Sequence, residues 1–330
     1  MAVRNGERFL DSALASLATQ TFADFEIVLI NNGSSDRTAE IIAEWAKREP
    51  RLRTFDHDRP GLAGSLILAA SLARASLLAR LDADDVALPE RLALQYMEMM
   101  ERPSLGLTGS SVELIDQDGR GIGERRMSVA DSELRELLKT RNPFCHSTIM
   151  MRRDAYERAG GYRRGLRICE DFDLWCRLSE VTELSNIERP LVRYRIHGTA
   201  MSIRQPIRML IADQCIIAAG RARSQGLPEP FTNGVPRLRG ALRILDIEHS
   251  AFLYELLKVT AVAGRLALQS KDRAEVLRLR RRAYGVLLAM PRRTAVQRGL
   301  SRMLGMYFRP YSRNRRRTFF RQMFTWKSEA

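Results

Sequence analysis

The chain has 330 residues, of which 45% are hydrophobic and 28% charged, and its formal net charge is +15 at pH 7. This composition excludes a globally disordered chain, because there is enough apolar material to form a packed core. No run approaches the ~20 apolar residues of a membrane span, and charged residues lie where a signal peptide would be apolar. We therefore expect an intracellular, cytoplasmic protein. None of the four cysteines lies in a Cys-x-x-Cys pair, which favours reduced thiols.

Strand and helix patterns alternate through the first third of the chain. The pattern predicts strands at 25–30, 52–55 and 77–81 and helices at 37–48, 62–75 and from Pro89 onward. Such alternation predicts an α/β fold with a parallel sheet. Further along, strands are predicted at 106–115 and within 142–151, and helices after Glu170, at 238–268 and at 272–290. The region after Pro206 is therefore mostly helical.

Polar clusters follow two of the predicted strands, at 31–36 and at 82–85. In parallel α/β sheets, ligands bind beyond the carboxyl ends of the strands, so both clusters lie at the expected edge. The carboxylates of Asp82, Asp84 and Asp85 repel one another unless a cation joins them, and Mg²⁺ or Mn²⁺ commonly bridges carboxylates to phosphate oxygens. The alternative is acidic capping of the helix near Pro89. The position directly after an apolar strand favours a ligand site.

Two further groups of polar residues could carry chemistry. Glu170 and Asp171 begin a predicted helix, where acids are common for capping reasons, but either could serve as a general base. Arg193, Arg195 and His197 alternate on a predicted strand and so share one face, which could meet a phosphate or a metal. Composition alone favours a simpler interpretation of that face, an exposed basic edge strand.

Most of the net charge belongs to the last forty residues, where eleven lysines and arginines stand against one acid, Glu329. Aromatic residues are interspersed among these arginines. Three interpretations follow: a solvated helical face, attachment to an anionic membrane surface, or binding to nucleic acid. No nucleic-acid motif accompanies the tail, so nucleic acid ranks last and no nucleic-acid partner is expected.

Taken in order, the motifs resemble family 2 glycosyltransferases. Residues 31–36 resemble the strand end "DDGSTD" of that family, and residues 79–85 resemble its DXD segment. Further similar segments are 88–92, 142–150 ("NPxxHxTxM"), 160–162, 170–175 and 194–197. Each segment is weak alone, but their order and spacing make the resemblance specific. It covers roughly residues 1–204.

The resemblance implies a GT-A nucleotide-diphospho-sugar transferase fold of the α/β class: a mainly parallel sheet flanked by helices, with a helical C-terminal extension. We expect a catalytic domain at 1–205, a helical extension at 206–290 and a basic tail at 291–330. The implied activity is transfer, with inversion, of a sugar from a nucleotide-diphospho-sugar donor to a hydroxyl of a saccharide or lipid-linked acceptor. This would serve cell-surface polysaccharide or glycolipid synthesis. Lipid-linked acceptors favour the membrane interpretation of the tail, which implies a peripheral membrane protein.

The resemblance also assigns site residues and a metal. Asp171 would be the catalytic base, with Glu170 as its rival, and Asp84 and His197 would bind Mg²⁺ or Mn²⁺. The residues assigned to the nucleotide-sugar are Val3, Arg4, Asn32, Arg80, Asp82, Ala83 and His146.

The sequence departs from the family pattern near its start. Asn32 stands where many members have an aspartate, and Arg4 replaces a frequent tyrosine. These two differences leave the identity of the donor's nucleobase open. The apolar residues expected before Ala2 are absent, so we hypothesise a truncated first strand, from a start codon assigned too late or from a shortened chain. The incomplete strand keeps open the alternative of a catalytically silent nucleotide-sugar-binding protein. A nucleotidyltransferase is a second alternative, because such enzymes also use acidic residues and a metal on an α/β sheet.

Overall fold

The computed structural model describes residues 1–58, 61–197 and 205–231. The strands are β1 (Ala2–Val3), β2 (Ile27–Asn31), β3 (Leu52–Asp56), β4 (Leu77–Ala79), β5 (Val86–Ala87), β6 (Leu105–Ile115), β7 (Gly121–Arg125), β8 (Met150–Arg152) and β9 (Glu183–Arg195). The helices are α1 (Leu10–Ala18), α2 (Thr38–Arg48), α3 (Leu62–Leu72), α4 (Arg91–Glu101), α5 (Asp131–Leu138), α6 (Arg153–Arg158), α7 (Glu170–Leu178) and α8 (Pro206–Ser224). The predicted helices at 238–268 and 272–290 and the basic tail lie outside the described residues.

The strands form two sheets. The first is parallel, with the order β1-β2-β3, and matches the predicted strand–helix alternation. The second has six strands in the order β4-β8-β6-β9-β5, with β7 paired to β6. In this sheet only β6 and β9 run parallel; the other pairs are antiparallel. The parallel region is thus confined to the first sheet and the β6–β9 pair.

The first sheet forms because β2 is apolar on both faces and is covered by helices. Its residues Ile27, Val28, Leu29 and Ile30 are all buried. On α2, Ile42 and Trp45 face the core, whereas Ala39, Ala43 and Ala46 are exposed. The buried face of α2 is therefore narrow. It suffices because the larger side chains fill the space against α1 and β3.

A cavity of about 400 Å³ lies between the two sheets, where β1 has only two residues. Its lining is largely apolar and includes Phe25, Val28 and Leu78. The amino group of Met1 donates to the carbonyl of Val28 at 2.8 Å, and burial, followed by the charge of Arg80, lowers the pKa of that amine to about 5. Whether further residues belong to this strand stays a prediction.

Helices α7 and α8 contact each other, and both bury apolar side chains. The inner side of α7 carries Phe172, Leu174, Trp175 and Leu178, all fully buried. The side chains of α8 that are buried are Leu210, Ile211, Ala212, Cys215, Ile216, Ile217 and Ala219. Among the residues described, no helix combines the length and the apolar character that crossing a membrane would require.

Candidate active site

The acidic turn after β4 is organised around one hydroxyl group. Ser147, in the 3-10 turn His146–Thr148, places its Oγ 2.9 Å from Asp82 Oδ2 and 2.5 Å from Asp85 Oδ2. The backbone N–H of Asp82 donates to the same Oγ at 3.1 Å. A serine hydroxyl carries one proton and can satisfy only one charged carboxylate, so this geometry favours a proton on one of the two acids.

Asp85 is the acid whose surroundings favour the protonated form. It is only 1% exposed, and burial, followed by the charges of Asp84 and Asp82, raises its pKa well above the ordinary value. Its Oδ1 accepts the backbone N–H of Arg195 at 2.7 Å, which joins the turn to the end of β9. Asp85 therefore has a structural role, and the predicted three-carboxylate cluster is reduced to Asp82 and Asp84.

Asp84 lies beside His197, as the metal assignment requires. His197 Nε2 is 2.8 Å from Asp84 Oδ2, and a third of the Asp84 side chain remains exposed. Arg195 Nε donates to the backbone carbonyl of Asp84 at 2.8 Å, which aligns the turn with the strand end. Ala83, between the two acids of the turn, packs partly against the apolar core.

An oxygen and an imidazole nitrogen are a donor set that Mg²⁺ or Mn²⁺ accepts together with phosphate oxygens. The described ranges contain no group of three or more His, Cys, Asp and Glu side chains arranged to hold a metal. Two protein ligands are enough where a bound diphosphate supplies the others, so the residues present fit a metal bound together with a donor.

The strand carrying His197 differs from the predicted edge strand. β9 lies between β6 and β5 and is paired on both sides, so it is an interior strand. Arg195 is buried, whereas Arg193 is exposed and its Nε lies 2.9 Å from Glu113 Oε2. Only Arg195 and His197 thus reach the acidic turn, and Arg193 is not part of the site.

Arg80 is a buried cation next to the acidic turn. It is 4% exposed and forms an ion pair with Asp82, while its Nε and one Nη have no hydrogen-bond partner among the described residues. Burial alone would raise the pKa of Asp82, but the charge of Arg80 and the hydrogen bonds from Ser147 and Arg80 outweigh it and hold that pKa below its ordinary value. Asp82 is therefore ionised and available to a donor group. The charge of Arg80 also acts on Glu170, so the acidic turn and the start of α7 share one electrostatic environment.

The predicted base-binding residues come together at the ends of β1 and β2. The backbone N–H of Asn32 donates to the carbonyl of Val3 at 2.8 Å, and its side-chain amide donates to the carbonyl of Gly61 at 3.2 Å. With that amide engaged, the Asn32 carbonyl oxygen can accept from a base N–H. Arg4 is exposed beside them.

Most of the polar run after β2 has another role than the ligand binding expected of it. Asp36 Oδ2 accepts the backbone N–H of Glu7 at 3.1 Å, Thr38 Oγ1 accepts that of Gly6 at 2.8 Å, and Ser34 Oγ accepts that of Asn5 at 3.0 Å. These bonds fix the loop between β1 and α1. Of the polar residues at 31–36, Asn32 alone is then left as the assigned base contact.

At the other side of the site, α7 begins with the two acids. Asp171 is half-buried and accepts the side-chain amide of Asn142 at 2.9 Å. Glu170 is 5% exposed, and burial, followed by the charge of Asp171, raises its pKa to about 8. The preceding residue, Cys169, has the left-handed φ of 57°. Glu170 is thus protonated at neutral pH, whereas Asp171 is oriented by a donor.

His146 lies between the acidic turn and α7 but carries no charge there. Burial, followed by the charge of Arg80, lowers its pKa to about 4. Its Nε2 is 2.8 Å from Tyr162 Oη, and its ring meets the ring of Trp175 edge to face at 5.9 Å. Any contact it makes with a nucleotide-sugar is therefore that of a neutral imidazole.

Three residues of the site were missed by sequence reasoning. Ser147 and Asn142 fall within the motif at 142–150, so their position in that motif was an available signal. Phe9 was not: its ring lies 5.1 Å from that of His197 and 4.7 Å from the Arg195 guanidinium, contacts that only the fold creates.

The fold and the site together are those of the GT-A class of glycosyltransferases: a parallel sheet, an acidic turn at a strand end, and acidic residues at the start of a helix near it. The family model described as "Glycosyl transferase family 2" matches residues 1–160. The O-antigen biosynthesis glycosyltransferase WbnJ of Escherichia coli is 32% identical over 202 residues, which are 60% of this chain and 78% of WbnJ. The chain therefore belongs to glycosyltransferase family 2, and it is an enzyme of the transferase class.

A second relative and two solved structures are also similar to this chain. The amylovoran biosynthesis glycosyltransferase AmsE of Erwinia amylovora is 27% identical over 252 residues, 74% of this chain and 92% of AmsE. S. aureus TarS 1–349, solved with UDP-GlcNAc, superposes with a TM-score of 0.55 at 15% identity, covering 93% of this chain and 91% of TarS 1–349. Mannosyltransferase PcManGT from Pyrobaculum calidifontis, solved with GDP-Man and Mn²⁺, has a TM-score of 0.50 at 17% identity, covering 92% and 82%. At such identities the structural likeness concerns the fold alone.

Proposed function

We propose that this enzyme transfers a sugar from a nucleotide-diphospho-sugar to an acceptor hydroxyl with inversion at the anomeric carbon, and that Asp171 is the catalytic base. The observation that carries the proposal is the placement of the acidic turn and of Asp171, which Asn142 orients, on either side of His146. The family model ends at residue 160, so the role given to Asp171 depends on this geometry.

The donor is assigned to the edge formed by β1, β2 and the acidic turn. Asn32 and the Val3–Arg4 segment contact the base, and Asp82 faces the ribose. Asp84 and His197 hold Mg²⁺ or Mn²⁺, for which the Mn²⁺ complex of PcManGT is supporting evidence. A bound divalent cation offsets the negative charge that develops on the departing diphosphate.

The acceptor hydroxyl is activated from the opposite side. Asp171 takes its proton while the hydroxyl oxygen bonds to the anomeric carbon and the bond to the diphosphate breaks. Asn142 orients the receiving carboxylate with its amide. Glu170 does not take this role at neutral pH, because it already carries a proton.

Two variants separate donor binding from chemistry. Asp84→Asn is expected to abolish the Mn²⁺-dependent rise in Tm that a nucleotide-sugar produces, because binding stabilises the folded state by mass action. Asp171→Asn is expected to keep that rise and to lower kcat by about 10²-fold or more. A screen of UDP- and GDP-sugars by thermal shift, with Mg²⁺ and Mn²⁺ in parallel, supplies the donor for both measurements. Full activity of Asp171→Asn would overturn the role of the base.

The acceptor is proposed to be a saccharide or a lipid-linked saccharide of a cell-surface polysaccharide. The names of the relatives support this, since one acts in O-antigen and another in amylovoran biosynthesis. The basic tail, which lies outside the described residues, is proposed to contact an anionic membrane. Sedimentation with liposomes is expected to deplete the protein only when anionic lipid is present and to weaken with salt. Equal recovery of the protein in the supernatant with anionic and with neutral liposomes contradicts the membrane proposal.

A further inference from the structure

Six charged side chains connect α7 to the segment that follows it. Arg163, before α7, binds Glu229 through both guanidinium ends, at 2.5 and 2.8 Å. The same guanidinium lies 3.5 Å from Asp173 Oδ1 on α7. Arg223 of α8 binds Glu229 at 3.1 Å and Glu180 at 2.8 Å. With Arg177, which pairs with Asp173, these residues are called the Glu229 network.

Asp173 is the member whose charge most needs the others. Its side chain is 1% exposed, and its Oδ1 has no hydrogen-bond partner apart from the approach of Arg163. A buried carboxylate is costly unless cations compensate it, so the position of Arg163 matters to α7. Arg163 in turn is fixed by the bidentate pair with Glu229, the geometry in which an arginine–carboxylate pair is most directional.

The other end of α8 meets the start of α7. Cys169 immediately precedes Glu170, and its Sγ lies 3.7 Å from the backbone carbonyl of Met209 on α8. Asp213 adjoins the same thiol. Since Cys169 has the left-handed backbone from which α7 departs, α8 contacts the point that sets the direction of Glu170 and Asp171.

We propose that Glu229 is a positioning residue for Asp171: through Arg163 and Asp173 it fixes α7 so that the Asp171 carboxylate faces the acceptor hydroxyl. The inference depends on the proposed function of Asp171. It also places residues 206–231 within the catalytic unit, beyond the boundary at 205 that the sequence predicts.

The test uses Glu229→Ala and Glu229→Gln in the full chain, with Glu136→Gln as the matched control, an exposed glutamate on α5 that pairs with Lys139. Glu229→Ala is expected to lower kcat about 10- to 100-fold, because small misplacement of a reacting group costs that much. The dissociation constant of the donor with Mn²⁺ should change less than twofold. Glu229→Gln, which keeps one acceptor for Arg163, should recover part of the loss, and Glu136→Gln should match the wild type.

Hydrogen exchange supplies a readout separate from turnover. In Glu229→Ala the amides of residues 169–174 should exchange faster while those of β2 and β6 keep their protection. Unchanged kcat and exchange overturn the inference, and so does a uniform loss of protection, which indicates general destabilisation. If Asp171→Asn retains full activity, the proposed function fails; if Asp171→Asn is inactive and Glu229→Ala is normal, only the positioning role fails.

Discussion

Three neighbouring aspartates differ in role because their surroundings differ. Asp85 is buried beneath a hydroxyl and a backbone N–H and its pKa is raised, whereas the charge of Arg80 holds the pKa of Asp82 below its ordinary value. Asp84 remains partly exposed beside His197. Identical residue types thus differ in pKa through burial and neighbouring charge, which the spacing of a motif does not encode.

Loss of the Ser147 hydroxyl should show how far the turn depends on it. Ser147→Ala brings two carboxylates together without a bridging donor, and we expect donor affinity to fall about tenfold, since a charge-assisted hydrogen bond contributes roughly 1.5–3 kcal/mol. Calorimetric titration of donor with Mn²⁺ measures this. Ser71→Ala, at an exposed serine of α3, is the control, and equal affinities for both variants contradict the assignment.

Glu170 makes stability depend on pH. Its folded pKa of about 8 exceeds the ~4.3 of an unfolded glutamate, so between those values the folded state holds a proton that the unfolded state has lost. Stability is therefore retained below pH ~4.3 and falls as pH rises toward 8. Glu170→Gln removes this dependence, and the variant should match the wild type near pH 4 and exceed its stability at pH 8 by roughly 4–5 kcal/mol.

Urea unfolding at several pH values, without donor or metal, checks the role of Glu170. Glu136→Gln again provides an exposed control. Stability curves for wild type and Glu170→Gln that stay parallel across the whole pH range contradict the burial of a neutral Glu170.

At the scale of elements, apolar periodicity located most strands and helices. The run at 25–30 became Ile27–Asn31, and 106–115 became Leu105–Ile115. Helix α3 ends at Leu72, short of the predicted residue 75, because Ala73 has the extended backbone that ends the helix. The order of strands in the sheets was harder to predict from the sequence. β9 was expected at an edge and lies inside the sheet, because nothing local in a strand specifies both of its neighbours.

The Asp36 carboxylate, just before α2, affects both the stability of the helix and the loop beside the proposed donor site. Asp36 accepts the backbone N–H groups of Thr38 and Glu7, both at 3.1 Å, so one carboxylate connects the first residue of α2 to the loop after β1. Asp36→Ala should cost about 1–3 kcal/mol of unfolding free energy, because it removes two charge-assisted hydrogen bonds, and also weaken donor binding. Glu44→Ala, at an exposed position of α2, should do neither. Unfolding curves and donor titrations of both variants decide it.

At the scale of the described chain, α8 packs with α7. The apolar side chains of α8 are buried, the carbonyl of its Met209 contacts Cys169 at the start of α7, and its Arg223 pairs with Glu180 just after the end of α7. We expect the amides of α8 and α7 to exchange with similar opening free energies, because units that share a core open together. Native-state hydrogen exchange on the full chain measures this. Exchange of α8 at the rate of an isolated peptide, with α7 still protected, contradicts the shared unit.

The sequence by itself determined the family, the order of the first elements and the residues around which the site is built. It could do so because strand ends with acidic or amide residues are local patterns, and Asp82, Asp84 and Glu170–Asp171 lie within them. The tertiary structure decided what each residue does there. Whether Glu170 is charged, whether Arg80 pairs with Asp82, and whether Phe9 contacts His197 depend on burial and on contacts between distant segments, which determine the local electrostatics.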